Sequence, residues 1–271
     1  MIRVVLSLFV VAGFVISCST NPLTGKSQFT LLPESQLQSM AQQEYTQFLS
    51  SNKVLAKTAN RDAEMVQRVG KRITTAVEEY YREKGITDKL AGFNWEYNLV
   101  EDPAVNAWCM PGGKIVVYTG LLPITQNEAA LAVVMGHEVC HALLQHGNQR
   151  MSQQMGAQAV QAGLAVALAN KPAETQNLFM AAYGAGAQVG VLLPFSRKNE
   201  LEADRWGLIM AASAGYNPRE AIALWQRMEK AGGGQKPPEF LSTHPSEGSR
   251  IAELEKLMPE ALKYYKPISN K

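Results

Sequence analysis

Five residues, His137-Glu138-Val139-Cys140-His141, set the narrowest limits on what this chain can fold into. Histidines four apart stand one above the other on a single face of an α-helix, so their ring nitrogens can converge on one ion, and Glu138, one step round, reaches the same point. The pattern is that of a zinc site with its general base attached. It works only on a helix, and the flanks supply one. Thr125-Gln126-Asn127-Glu128 has the form of a capping box, and Ala130, Leu131, Val133, Val134, Ala142, Leu143 and Leu144 give the apolar positions of a helix predicted to run to about Gln149. Three polar groups turned inward in so apolar a run are costly unless something binds them. The plainer alternative is a buried helix whose histidines merely satisfy hydrogen bonds.

A catalytic zinc takes three protein ligands and keeps a fourth position open. Glu200-Leu201-Glu202-Ala203-Asp204, within a helix predicted over 198–214, offers the third. Glu200 and Asp204 share a face, so one carboxylate can bind the metal while the other takes the N–H of a ligating histidine and fixes its tautomer. Glu202 points elsewhere. Taken alone, the segment reads equally as a solvated acidic opening of a helix, where carboxylates favour the N-terminal dipole.

Before the first helix stand Asn106-Ala107, Pro111-Gly112-Gly113 and Thr119-Gly120-Leu121. After it come His146, Arg150, the Glu200-to-Asp204 pair, and Thr243-His244-Pro245 followed by Arg250. From about Asp102 to Arg250 this arrangement resembles the metallopeptidase family that contains HtpX, the CAAX prenyl proteases and BepA, in the form of its small lipoprotein members. Nothing in the chain resembles the multi-span members. The resemblance implies an α+β, mainly helical fold: a zincin-type peptidase domain with a small β-sheet beside the HExxH helix. It implies one Zn2+ per chain, held by His137, His141 and Glu200, with Asp204 behind the ligands. Glu138, His244 and Arg250 are then the catalytic candidates, the last two for stabilising the oxyanion and positioning substrate. Asn106 and Ala107 fall on the sheet edge that receives an extended substrate as an added strand. Without the resemblance, Asn106 is a loop residue after Pro103 and His244 a surface histidine before a proline.

Met1-Ile2-Arg3 followed by the apolar run from Val4 to Ile16 is too short to span a bilayer and reads as a secretory signal over residues 1–17. Val15-Ile16-Ser17-Cys18 looks like a bacterial lipobox, with lipidation expected at Cys18; an ordinary secreted protein with a buried or paired Cys18 is the alternative. Ser19 resembles the default sorting signal to an outer membrane. The expected location is therefore the cell envelope, facing the periplasm, with a lipid anchor as the only membrane contact. Residues 18–30 read as a tether, turn-rich at Asn21 to Lys26. Residues 31–271 read as a single domain, since 46% apolar residues suffice for one sizeable core and no composition break demands two. A formal charge of +2 gives no case for nucleic acid.

Helical spacing covers Ser35 to Ser50 and Asp62 to Lys84, the second with a stripe of Met65, Val69, Ile73, Val77 and Tyr80. A strand is predicted over Phe93 to Val100 and a hairpin from Asn106 to Thr119 around Pro111-Gly112-Gly113. Met151 to Leu193 reads as two helices broken at Lys171-Pro172, packed over the metal helix through small residues. A membrane hairpin is the competing reading, but Gln158, Gln161, Gln176, Asn177 and Gln188 interrupt both halves. Asn217-Pro218 starts a helix to about Lys230 that buries Leu224, Trp225 and Met228. A Gly- and Pro-rich loop from Gly232 to Pro238 delivers Thr243-His244-Pro245 before a last helix from about Ser246. Cys109 and Cys140 can pair in an oxidising envelope, but two buried thiols fit better. Cys140 points about a hundred degrees away from His141, which disfavours it as a ligand.

The chemistry that follows is metal-assisted peptide hydrolysis, with Glu138 taking the proton of the attacking water and passing it to the leaving amine. The expected substrates are exposed, extended segments of unfolded or misfolded envelope proteins, a quality-control role, with envelope assembly machinery as a possible partner. The alternatives are a chaperone or assembly factor that binds such proteins with little turnover, and a non-peptide metal hydrolase.

Overall fold

The computed structural model describes residues 18–187, 193–232, 239–244 and 250–268. The leader at 1–17, the loop at 233–238, and Pro245 and Ser246 lie outside them. The fold is α+β and mainly helical, with a small sheet packed beside the helix that carries the HExxH motif.

The described residues begin with a docked hairpin where a tether is expected. β1 (Cys18–Thr20) pairs antiparallel with β2 (Ser27–Phe29). The amide of buried Asn21 donates to the Leu143 carbonyl at 3.1 Å, and that of Gln28 to the Leu144 carbonyl at 2.7 Å. The hairpin thus satisfies carbonyls that the end of the HExxH helix leaves without partners. A free tether would leave them to water.

α1 (Glu34–Ser51) buries Leu37, Ala41 and Tyr45. α2 (Arg61–Glu83) starts at Asn60, whose side chain accepts from the N–H groups of Asp62 and Ala63. Its buried face is Val66, Val69, Ile73, Val77 and Tyr81, so the expected Met65 and Tyr80 fall at the margin of the stripe. β3 (Glu96–Val100), β4 (Ala107–Met110) and β5 (Lys114–Tyr118) form a sheet in the order β3-β5-β4. β5 is central, parallel to β3 and antiparallel to β4, and β4 is an edge.

α3 (Glu128–Leu143) carries the motif. Its cap is Asn127, which accepts from the Ala130 N–H at 2.9 Å, two residues later than the capping-box reading. It also ends sooner than Gln149, because Gln145 takes a left-handed φ of 56° and breaks the helix. His146 then opens α4 (His146–Leu168), which pairs with α5 (Ala173–Ala187). This pair does not lie over the metal helix. Only the first turns of α4 are buried, through His146, Asn148, Gln149 and Ser152, while Val160, Val166, Leu178 and Phe179 are exposed. Side chains of Ala, Gly and Gln offer too little apolar area to draw the pair down. Among the described residues no helix is long and apolar enough to cross a membrane.

α6 (Leu193–Ser213) makes the most extensive helix contact of the fold, with α3. α7 (Glu220–Gly232) buries Ala221, Leu224, Trp225 and Met228. A short α8 (Glu239–Thr243), which the sequence does not announce, precedes His244, and α9 (Arg250–Ala261) is followed by a single 3-10 turn at Leu262–Tyr264.

α3 and α6 cross at two glycines. A Cβ built on Gly136 meets the Gly207 carbonyl oxygen at 2.8 Å, and one on Gly207 meets the His137 backbone nitrogen at 2.7 Å. Neither neighbour can yield, because both are backbone. Gly207→Ala is therefore expected to destabilise by about 1–3 kcal/mol, the range for overpacking. Denaturant unfolding checks this, with Gly163→Ala as the control: nothing lies within 4 Å of a Cβ there, and stability should hold or rise.

Candidate metal centre

The crossing sets the donors of α3 against those of α6. His137 Nε2 and His141 Nε2 lie 2.9 Å apart. The Glu200 carboxylate straddles them, 3.3 Å from His137 Nε2 and 3.4 Å from His141 Nε2. His244 completes a cluster of four whose ligand atoms all lie within 4.8 Å of one another. Two imidazole nitrogens face to face cannot both donate, and Glu200 Oε2 and Glu138 Oε1 are buried without hydrogen-bond partners. A cation among the donors would answer the facing imidazoles and Glu200; Glu138, outside the donor cluster, would be left to face a water. Imidazole nitrogens with a carboxylate suit a dication of borderline softness.

Behind the donors the charges are ordered. His137 Nδ1–H donates to Asp204 Oδ1 at 2.9 Å. Asp204 also accepts from Arg250 Nη2 at 2.6 Å, and Arg250 Nη1 lies 3.4 Å from Glu200 and donates to the His244 carbonyl at 3.1 Å. Arg250 is expected at the substrate; the structure corrects this. Its guanidinium is buried over the Trp225 ring, 4.0 Å from the centroid, and its partners hold it behind the ligands. Burial pushes the Asp204 carboxyl up, but the Arg250 charge and the His137 hydrogen bond outweigh it and hold it at about 2.

The same forces spread the remaining groups. Burial disfavours the charged form of His137, yet its bonds to Asp204 and Glu200 prevail and raise it to about 9. Burial lifts Glu138 to about 8 against the opposing pull of His137. His141 is pushed down by burial and by its cationic neighbours. Burial likewise lowers His244 to about 4. Its ring stacks on Phe240 at 4.4 Å, its Nδ1 engages the Phe240 carbonyl at 3.1 Å, and its Nε2 faces Glu138 Oε1 at 3.4 Å.

A cleft of about 630 Å³ opens beside these groups, lined among others by Ala107, Trp108, Glu138, His141, Glu200 and His244. Asn106 is buried at its rim. Its Oδ1 accepts from the Ala107 N–H, and its amide donates to Glu239 at 3.1 Å, while the Phe240 N–H donates to the Val105 carbonyl. Thus α8 is fastened to the start of edge strand β4. Cys109 and Cys140 are both free thiols, and burial raises both. Glu202 turns from the donors toward Lys26 and His146. Sequence reasoning missed the glycine crossing, Phe240 and the contact of His146 with His141; only the small side chains at 136 and 207 gave any signal.

The family model for Peptidase family M48 matches residues 67–258. The chain is 32% identical over 261 residues to the human (Homo sapiens) protein named "Metalloendopeptidase OMA1, mitochondrial", covering 94% of this chain and 48% of that protein. It is 38% identical over 184 residues to "Mitochondrial metalloendopeptidase OMA1" of Arabidopsis thaliana, covering 67% and 36%. It is 31% identical over 163 residues to the "Beta-barrel assembly-enhancing protease" of Escherichia coli strain K12, covering 59% and 33%. The chain thus spans between a third and a half of the length of these relatives. They overturn the location read from the leader: relatives sharing most of this chain are mitochondrial, so the assignment to a periplasm-facing outer-membrane lipoprotein is withdrawn, and with it the lipidation of Cys18.

His137 and Glu138 are both raised, so a dication taking up His137 Nε2 must displace the proton there and by its charge favours loss of the one on Glu138. About one to two protons should be released per ion, so apparent affinity should climb as pH rises toward about 9. Calorimetric titration in two buffers of different ionisation enthalpy measures this; identical heats would contradict it.

Proposed function

Since the chain belongs to peptidase family M48, we propose that it is a zinc-dependent endopeptidase, with one Zn2+ per chain, hydrolysing exposed, extended segments of unfolded or misassembled proteins. The observation that carries the reading is the buried, partnerless Glu138 carboxylate oxygen beside a cluster of two imidazoles and Glu200, at the floor of a cleft edged by β4.

His137, His141 and Glu200 would hold the zinc. When bound, the ion supplies a Lewis acid that polarises water and the scissile carbonyl. Glu138 takes the proton of the attacking water and delivers it to the leaving amine; its burial makes it a stronger base than a solvated carboxylate. Asp204 accepts the Nδ1–H of His137 and keeps Nε2 turned to the metal, and Arg250 holds Asp204 in place. Ala107 opens the edge strand β4, with Asn106 just before it, and a sheet edge suits an extended peptide without demanding particular side chains. This favours unfolded polypeptide as substrate. The E. coli relative's name, an assembly-enhancing protease, supports looking for clients among proteins caught in assembly.

His244 supports a second reading. Its ring belongs to the four-residue donor cluster, with Nε2 3.4 Å from Glu138 Oε1, so it could serve as a fourth ligand, and α8 is pinned beside β4 through Glu239 and Phe240. In this resting form the protein binds unfolded chains and cleaves them rarely, which is the chaperone alternative; peptide hydrolysis begins when His244 withdraws.

Glu138→Gln is expected to retain about one zinc per chain while losing nearly all turnover of unfolded casein. Glu200→Ala should lose the zinc itself on dialysis against a mild chelator. His244→Ala should raise casein turnover, because the fourth position is then open. A fall of about a hundredfold would instead make His244 an oxyanion donor.

A further inference from the structure

We propose that His146 is a positioning residue for the ligand His141, the end of a relay that runs from the N-terminal hairpin through Lys26 and Glu202. The inference rests on the metal-binding reading above and adds to it.

A histidine that binds metal through Nε2 must carry its proton on Nδ1, and a partner for that proton fixes the ring. For His137 the partner is Asp204. For His141 the described neighbour is His146, whose Nδ1 lies 2.9 Å from His141 Nδ1, with the rings nearly perpendicular at 73°. His146 must then accept on Nδ1 and keep its own proton on Nε2. That Nε2 is buried without a hydrogen-bond partner and faces Glu202 Oε2 at 3.7 Å. Glu202 in turn pairs with Lys26, in the turn of the β1-β2 hairpin. The Glu202 carboxylate that faces Nε2 favours the proton there, which leaves His146 Nδ1 to accept from His141.

The fold builds this contact deliberately at one point. On an unbroken helix, a residue five positions after His141 would lie about 140° round the axis from it. The left-handed Gln145 ends α3 and starts α4 afresh, so that the first residue of α4 turns back onto the ligand. The two ligand histidines are thus supported unequally, His137 by a carboxylate and His141 by a neutral ring. Lys26 is largely exposed and should matter least, since solvent screens its pair with Glu202.

The test is cobalt substitution of the full chain, with affinity read by chelator competition and the site by the cobalt absorption bands. His146→Ala should weaken cobalt binding by about tenfold to a hundredfold and shift the bands, while the metal-free protein unfolds as wild type does. His146→Gln, whose side-chain oxygen can accept the same N–H, should restore most of the affinity. Affinity of His146→Ala within about twofold of wild type overturns the proposal, as does a Gln variant no better than Ala. If His146→Ala does not fold, the Gln variant decides: near-wild-type affinity and bands support the relay, and a loss of tenfold or more overturns it. Wild-type protein that binds no cobalt would overturn the metal reading itself, a different outcome from wild-type binding with unchanged variants.

Discussion

Helices α3 and α6 touch backbone to backbone at Gly136 and Gly207, and the metal centre exists because they do. The separation of two helices is set by the side chains between them, ordinarily 8–10 Å between axes. Without a Cβ at either crossing point, Glu200 and Asp204 come within bonding distance of His137 and His141 although their own side chains are short. A wider crossing would leave the histidines of α3 facing a gap. The sheet and α2 then serve mainly to hold α3 from its other sides, burying it almost completely.

Such burial makes the centre an electrostatic problem. His137, Glu138, Glu200, Asp204 and Arg250 are all nearly removed from water, where an unpaired charge costs several kcal/mol. The structure answers with alternating signs: Arg250 lies against Asp204, Asp204 against His137, and Glu200 across both histidines. Of these groups, Glu138 Oε1 and Glu200 Oε2, whose residues line the cleft, and Arg250 Nε stay without a hydrogen-bond partner.

The cleft wall serves two purposes. β4 is an edge of the sheet, and the residues just before it, Val105 and Asn106, hold α8. The segment that carries His244 is thereby tied to the residues that lead into β4. An edge strand left wholly unguarded is a site for unwanted association, which gives this arrangement a second benefit.

The sequence by itself determined the motif helix, the neighbouring hairpin and the shared face of Glu200 and Asp204, because each rests on short-range spacing: i and i+4 on one helix face, or two strands around a glycine turn. It also determined the buried face of α7 through Leu224, Trp225 and Met228. It could not give the end of α3, because the left-handed Gln145 is a residue type that ordinarily continues a helix. It placed Arg250 at the substrate, whereas stacking on Trp225 and pairing with Asp204 draw it behind the ligands. It read residues 18–30 as a tether because the partners of Asn21 and Gln28, the carbonyls of Leu143 and Leu144, lie more than a hundred residues away. Local periodicity fixes which side chains share a face. Only tertiary packing decides which faces meet, how closely, and which buried groups are left needing a partner.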